Sequence, residues 1–129
     1  MAPYPIEALD HYWAMWNERD VDRIRVHLEQ AVTDDVVFCD PLHFHVGRDA
    51  LEANVRGLRL RRRAAQFAVT SRVDSHHNRH RYHWRFTLGS RVVENGFDVA
   101  TVADSGLLER VDGFFGELAV ATPADPSFS

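Results

Sequence analysis

Apolar residues recur at spacings of three and four near the start of the chain. Ile6, Leu9, Trp13 and Trp16 form one stripe with Tyr12 on or beside it, the pattern of a helix with one buried face. Asn17-Glu-Arg-Asp20 reads as a turn, with Asp20 as N-cap of a second helix. Its Val21, Ile24 and Leu28 share a stripe, and it should end near 31–33. Residues 36–40 are a short β-branched and aromatic run stopped by Pro41, which predicts a strand. Alternation puts Phe38 and Asp40 on one of its faces, Val37 and Cys39 on the other. Leu51, Val55 and Leu58 then return at helical spacing and predict a third helix over 48–61.

From position 66 the period changes to two. Phe67, Val69, Ser71 and Val73 alternate with polar neighbours. Tyr82, Trp84, Phe86 and Leu88 do so with Arg81, His83, Arg85 and Thr87, ahead of a Gly89-Ser90 turn. Two further strands are predicted over about 91–103 and 107–118, joined by a turn at Asp104-Ser-Gly106. Helices set apart from a meander give the α+β class: three N-terminal helices packed on a strongly curved antiparallel sheet that encloses a pocket. The tail from Thr122 has two prolines and no pattern, and is expected to be mobile or held by a partner.

The 129 residues are read as one domain, 1–129, with a core over about 6–118 and a tail over 119–129. The lone Cys39 excludes an internal disulfide, and no apolar run resembles a signal segment or reaches across a bilayer. A cytoplasmic protein without membrane contact is expected. The net charge of −4 argues against a general nucleic-acid binder. Arg59, Arg61, Arg62 and Arg63 form a local cluster without an aromatic platform, which reads as a solvated helix end. All 15 basic residues are arginine, so Schiff-base chemistry on lysine is excluded.

The stretch "FCDPLHFHV" carries the most chemistry. Asp40 shares a face with Phe38, and a carboxylate among aromatic rings becomes a better proton acceptor near neutrality. Equally, an Asp before proline can spend its side chain on nearby backbone amides. Asp98 stands mid-strand, where Asp is disfavoured, on a face with Gly96, Ala100 and Val102. It is either a buried acid that can stay protonated or a carboxylate at a sheet edge or dimer face. His43 and His45 lie two apart and would share a face, suiting either metal ligation with Asp40 or hydrogen bonding to a carboxylate or substrate oxygen. Tyr82, Trp84 and Phe86 form an aromatic stripe, while His76, His77 and His80 read as solvent-exposed. No nucleophile elbow, phosphate loop or dinucleotide glycine motif is present.

From about Leu9 to Leu118 the chain resembles the nuclear-transport-factor-2-like superfamily, and within it the steroid Δ-isomerases and SnoaL-like polyketide cyclases. The resemblance rests on "YWAMWNERD", on "DDVVFCDP" followed by "GRDA", and on "DGFFG" near the end. It implies a cone-shaped roll and, residue by residue, a general base at Asp40, an oxyanion-hole phenol at Tyr12 and a protonated acid at Asp98. The isomerase pattern has no His-x-His after Asp-Pro; there His43 and His45 resemble the cyclases and dehydratases, where Asp and His act together. The resemblance implies a cofactor-independent enzyme, without a metal, that takes a proton next to a carbonyl. Its pocket is expected to be lined by Trp13, Trp16, Phe38, Val55, Leu58, Tyr82, Trp84, Phe86 and Phe114. The alternatives are a dehydratase, lyase or hydrolase using an Asp/His pair in the same pocket, and a non-catalytic binding or dimerisation domain. The expected partners are a small apolar or carbonyl-bearing molecule and a second copy joined through the sheet, where Phe97, Val99 and Thr101 would be exposed.

Overall fold

The computed structural model describes residues 6–122; the prolines of the expected tail lie outside them. Helix α1 spans Glu7–Asn17 and α2 spans Ile24–Ala31. Between them Asp20 caps a short 3₁₀ turn, its Oδ1 accepting the amide of Asp22 at 2.9 Å. Strand β1 spans Val32–Asp40, β2 spans His43–Val46, and α3 spans Arg48–Arg61. The remaining strands are β3 (Ala65–Val69), β4 (Asp74–His76), β5 (Arg79–Leu88), β6 (Arg91–Val102) and β7 (Leu108–Phe115).

The sheet runs β2-β1-β7-β6-β5-β3, with β4 paired to β5. One expectation needs correcting here. The sheet is mixed, because β1 lies parallel to β7 whereas every other neighbouring pair is antiparallel. The first strand also begins four residues earlier than its β-branched core suggests, directly from the end of α2.

The three helices bury one face each against the inner face of the sheet. Leu9, Met15, Ile24, Leu28, Leu51 and Val36 are sealed from solvent, each contributing about 1.5–3 kcal/mol by burial. Two polar side chains fix the helices to the sheet. Asn17 pairs with the backbone of Phe67 as a strand would, donating to its carbonyl at 2.9 Å and accepting its amide at 2.8 Å. Arg59 is only 5% exposed and donates to the carbonyls of Trp16, Arg63 and Ala65 at 2.8–3.0 Å. The arginine cluster is therefore not one solvated helix end, because Arg59 is an internal clamp between α1, α3 and β3. His80 is likewise buried rather than exposed, with Nδ1 2.6 Å from Ser75 Oγ. His76 and His77 are exposed on the β4–β5 turn, as expected.

Candidate active site

A cavity of about 390 Å³ opens between α1, α3 and the inner face of the sheet. Its volume suits a small organic molecule. Asp40 and Asp98 both line it, as do Tyr12 and His43. The predicted lining residues Trp13, Trp16, Phe38, Leu58, Trp84 and Phe86 are present too.

Four placements differ. Val55 is buried in the core behind the lining, and Tyr82 lies beneath the cavity floor, holding Asp98. Phe114 is 51% exposed on the outer face of the sheet, stacked on Phe97, and Phe115 takes the inward position. The cause is a bulge in β7: Val102 pairs with Leu108 but Thr101 with Arg110, and the extra residue reverses which side chains point inward. His45 stacks on Phe38 and lies beside His43 without lining the cavity.

Asp40 sits at the end of β1. Its Oδ1 accepts the amides of Leu42 and His43 at 2.9 and 2.8 Å, and His43 Nδ1 lies 3.0 Å from the same oxygen. The turn reading of this residue holds, and the same side chain lines the cavity. The Asp-Pro turn occupies Oδ1, and among the described residues no donor reaches Oδ2. A carboxylate fixed through one oxygen presents the other in a defined direction.

Asp98 is 5% exposed in the middle of β6. Tyr82 donates to its Oδ2 at 3.0 Å and Trp84 Nε1 to its Oδ1 at 2.9 Å. Burial raises its pKa, the Tyr82 and Trp84 hydrogen bonds oppose that, and the charges of Asp40 and Asp112 add to it; the result is about 7. Tyr12 is 1% exposed, and burial followed by the charge of Asp98 raises its phenol well above the ordinary range, so it remains a donor. The indole N–H groups of Trp13 and Trp16 are buried without a partner among the described residues. The phenols they approach, Tyr82 and Tyr12, do not meet them in hydrogen-bonding geometry.

Two glycines make room for this arrangement. A Cβ on Gly113 would lie 3.0 Å from Asp98 Oδ1 and 3.4 Å from Asp40 Cβ, so Gly113 occupies the gap between the two acids. A Cβ on Gly96 would collide with the carbonyl oxygen of Phe114 and the ring of Trp84. The absence of a side chain there lets Trp84 lie across β6 and reach Asp98. Gly96→Ala is expected to displace the indole and the Phe114 backbone and cost about 3 kcal/mol of stability, measured by urea unfolding; an unchanged midpoint would show that both the ring and the β7 backbone give way at little cost.

Further lining residues escaped the sequence reading, among them Phe67, Leu42, Asn54, Arg61, Arg62 and Glu94. Phe67 carried a usable signal in its strand alternation. Among the described residues no three His, Cys, Asp or Glu side chains are grouped so as to hold a metal ion. Nor is any described helix long and apolar enough to cross a membrane.

No protein-family model and no curated protein matches the chain. Solved structures do. A proposed isomerase of the SnoaL-like family from Agrobacterium tumefaciens is 28% identical, with a TM-score of 0.79 over 85% of this chain and 95% of that one. An NTF2-like protein of unknown function from Exiguobacterium is 17% identical, with a TM-score of 0.71 over 86% and 99%. A proposed SnoaL-like polyketide cyclase from Jannaschia is 17% identical, with a TM-score of 0.65 over 89% and 90%. The chain therefore belongs to the NTF2-like fold, with SnoaL-like proteins among its structural neighbours.

Proposed function

We propose that this protein is a cofactor-independent isomerase or cyclase that removes a proton from the carbon next to a carbonyl. The observation that carries this reading is the pair of carboxyl groups facing one apolar cavity across Gly113, one tied into a turn and the other buried with a pKa of about 7. Pairs of acids set apart by their surroundings are suited to separate base and acid roles.

In the proposed step, Asp40 Oδ2 takes the proton. The C–H electron pair moves into the carbon–carbon bond, and the carbonyl π pair moves onto oxygen. Protonated Asp98 and the Tyr12 phenol donate hydrogen bonds to that oxygen as its charge grows. In a substrate with a β,γ double bond Asp40 then returns the proton at the γ carbon, which shifts that double bond into conjugation; alternatively the enolate carbon attacks a second carbonyl, closing a ring, and Asp40 gives its proton to the alkoxide that forms. His43 orients Asp40 through the contact at its Oδ1.

Incubation of aryl ketones in deuterated buffer tests the reaction class. The protein should exchange the hydrogens beside the carbonyl far faster than buffer alone, as read by proton NMR. Exchange at the buffer rate across a size series filling the cavity would favour a binding module instead. For assembly, we infer a homodimer through the outer sheet face, where Phe44, Val46 and Phe114 are exposed, while Phe97, Val99 and Thr101, expected to be exposed there, are half-buried.

A further inference from the structure

The proposed reaction uses the depth of the cavity and leaves its rim unexplained. Arg61 and Arg62, at the C-terminal end of α3, line the mouth and are exposed. Other arginines of the same helix are engaged: Arg56 with Glu52 and the carbonyl of Val21, and Arg59 with three carbonyls. Among the described residues, the guanidinium groups of Arg61 and Arg62 have neither an ion pair nor a hydrogen-bond acceptor.

Arg61 also lies over a glycine. Its Nη1 is 2.8 Å from where a Cβ would stand on Gly57, inside α3. Glycine in a helix interior is unfavourable relative to alanine. Here the missing side chain leaves space for a guanidinium to lie against the helix. It sits on the face that also sends Asn54 and Leu58 to the cavity. Glu94, on β6, lines the same cavity. Against the two arginines stand Glu94 and, deeper in, Asp40 and Asp98, so positive charge is concentrated at the Arg61 and Arg62 end of the cavity.

We propose that the ligand is an amphipathic carboxylic acid, its apolar carbonyl-bearing body in the aromatic cavity and its carboxylate held at the mouth by Arg61 and Arg62. Guanidinium groups match a carboxylate with two parallel hydrogen bonds. With Glu94 and Asp40 on the same lining, a monoanion meets less repulsion than a doubly charged phosphate. Only the placement of the carbonyl rests on the proton-transfer reading; the carboxylate site stands on the rim itself.

Titration calorimetry with naphthylbutanoate, its methyl ester and naphthyl phosphate tests this on the wild type and on the double variant Arg61→Gln/Arg62→Gln. The acid should bind the wild type about tenfold more tightly than the ester, and the double variant should lose about tenfold for the acid alone. Added salt should weaken the acid and spare the ester. Equal wild-type affinity for acid and ester, parallel losses for both in the variant, or tighter binding of the phosphate would overturn the proposal. Deuterium exchange beside the ketone of the keto acid 4-naphthyl-4-oxobutanoate, measured alongside, separates the two readings: acid-selective binding with no exchange upholds the rim and removes the reaction, whereas exchange without acid selectivity does the reverse.

Discussion

Asparagine in place of Asp40 is expected to lower turnover about a hundredfold to ten-thousandfold while leaving the fold intact. That range is what a positioned general base contributes. The substitution removes the basic oxygen and keeps the turn, because the Asn carbonyl can still accept the Leu42 and His43 amides that Asp40 Oδ1 accepts now. Thermal unfolding should therefore shift little. A loss confined to kcat, with KM nearly unchanged, would mark an interaction made in the transition state. Asp40→Ala would lose the turn contacts too and mix the two effects. Near-normal turnover in Asp40→Asn would remove this residue from the mechanism.

Asp98→Asn should change both activity and the dependence of stability on pH. The folded protein holds the Asp98 carboxyl at about 7, against an ordinary 3.8, chiefly through burial. The folded state thus binds this proton more tightly than the unfolded chain does. Its contribution is fully present below the ordinary value and is lost as pH rises through about 7, a change on the order of 4 kcal/mol. The variant has no such titration. It also presents one amide NH₂ toward either Tyr82 or Trp84, leaving a buried donor unmatched at about 1–3 kcal/mol. Urea midpoints should accordingly show the wild type ahead at pH about 4, losing that lead as pH rises through about 7, and level with or behind the variant by pH about 8. Parallel curves would mean that Asp98 titrates as an ordinary carboxylate.

How much of this could be read in the sequence depended on whether a feature was local. The third helix was legible to its ends because Leu51, Val55 and Leu58 keep one period over the whole segment. Asp40 and Phe38 share the inner face because alternation survives within one short strand. Pairings between distant segments left no such trace. The parallel contact of β1 with β7 joins residues more than seventy positions apart, as in Phe38 opposite Val111.

Register was hidden for a related reason. A two-residue turn at Gly89-Ser90 matches Leu88 with Arg91, which carried down the hairpin would set Tyr82 opposite Phe97. A bulge between Phe86 and Thr87 moves the pairing by one, so Tyr82 stands opposite Asp98 and Trp84 opposite Gly96. The hydrogen bonds to Asp98 depend on that extra residue. Tyr82 and Trp84 consequently read as an aromatic stripe from the sequence, and the structure makes them the groups that hold the acid. The second bulge, in β7, likewise exchanged Phe114 for Phe115. The rim arginines were visible as a basic cluster, but their division into an internal clamp and two cavity-facing cations needed the packing of α3.

The central claim is that this apolar cavity keeps one of its two acids protonated near neutrality. Carbon NMR on protein with isotope-labelled aspartate carboxyls measures this directly, with the Asp98 resonance assigned by its loss in Asp98→Asn. We expect that resonance to titrate with a midpoint near 7. A midpoint near the ordinary 3.8 would leave the Asp98 carboxyl ionised at neutrality, with a negative charge instead of a proton facing the enolate oxygen, contradicting the account.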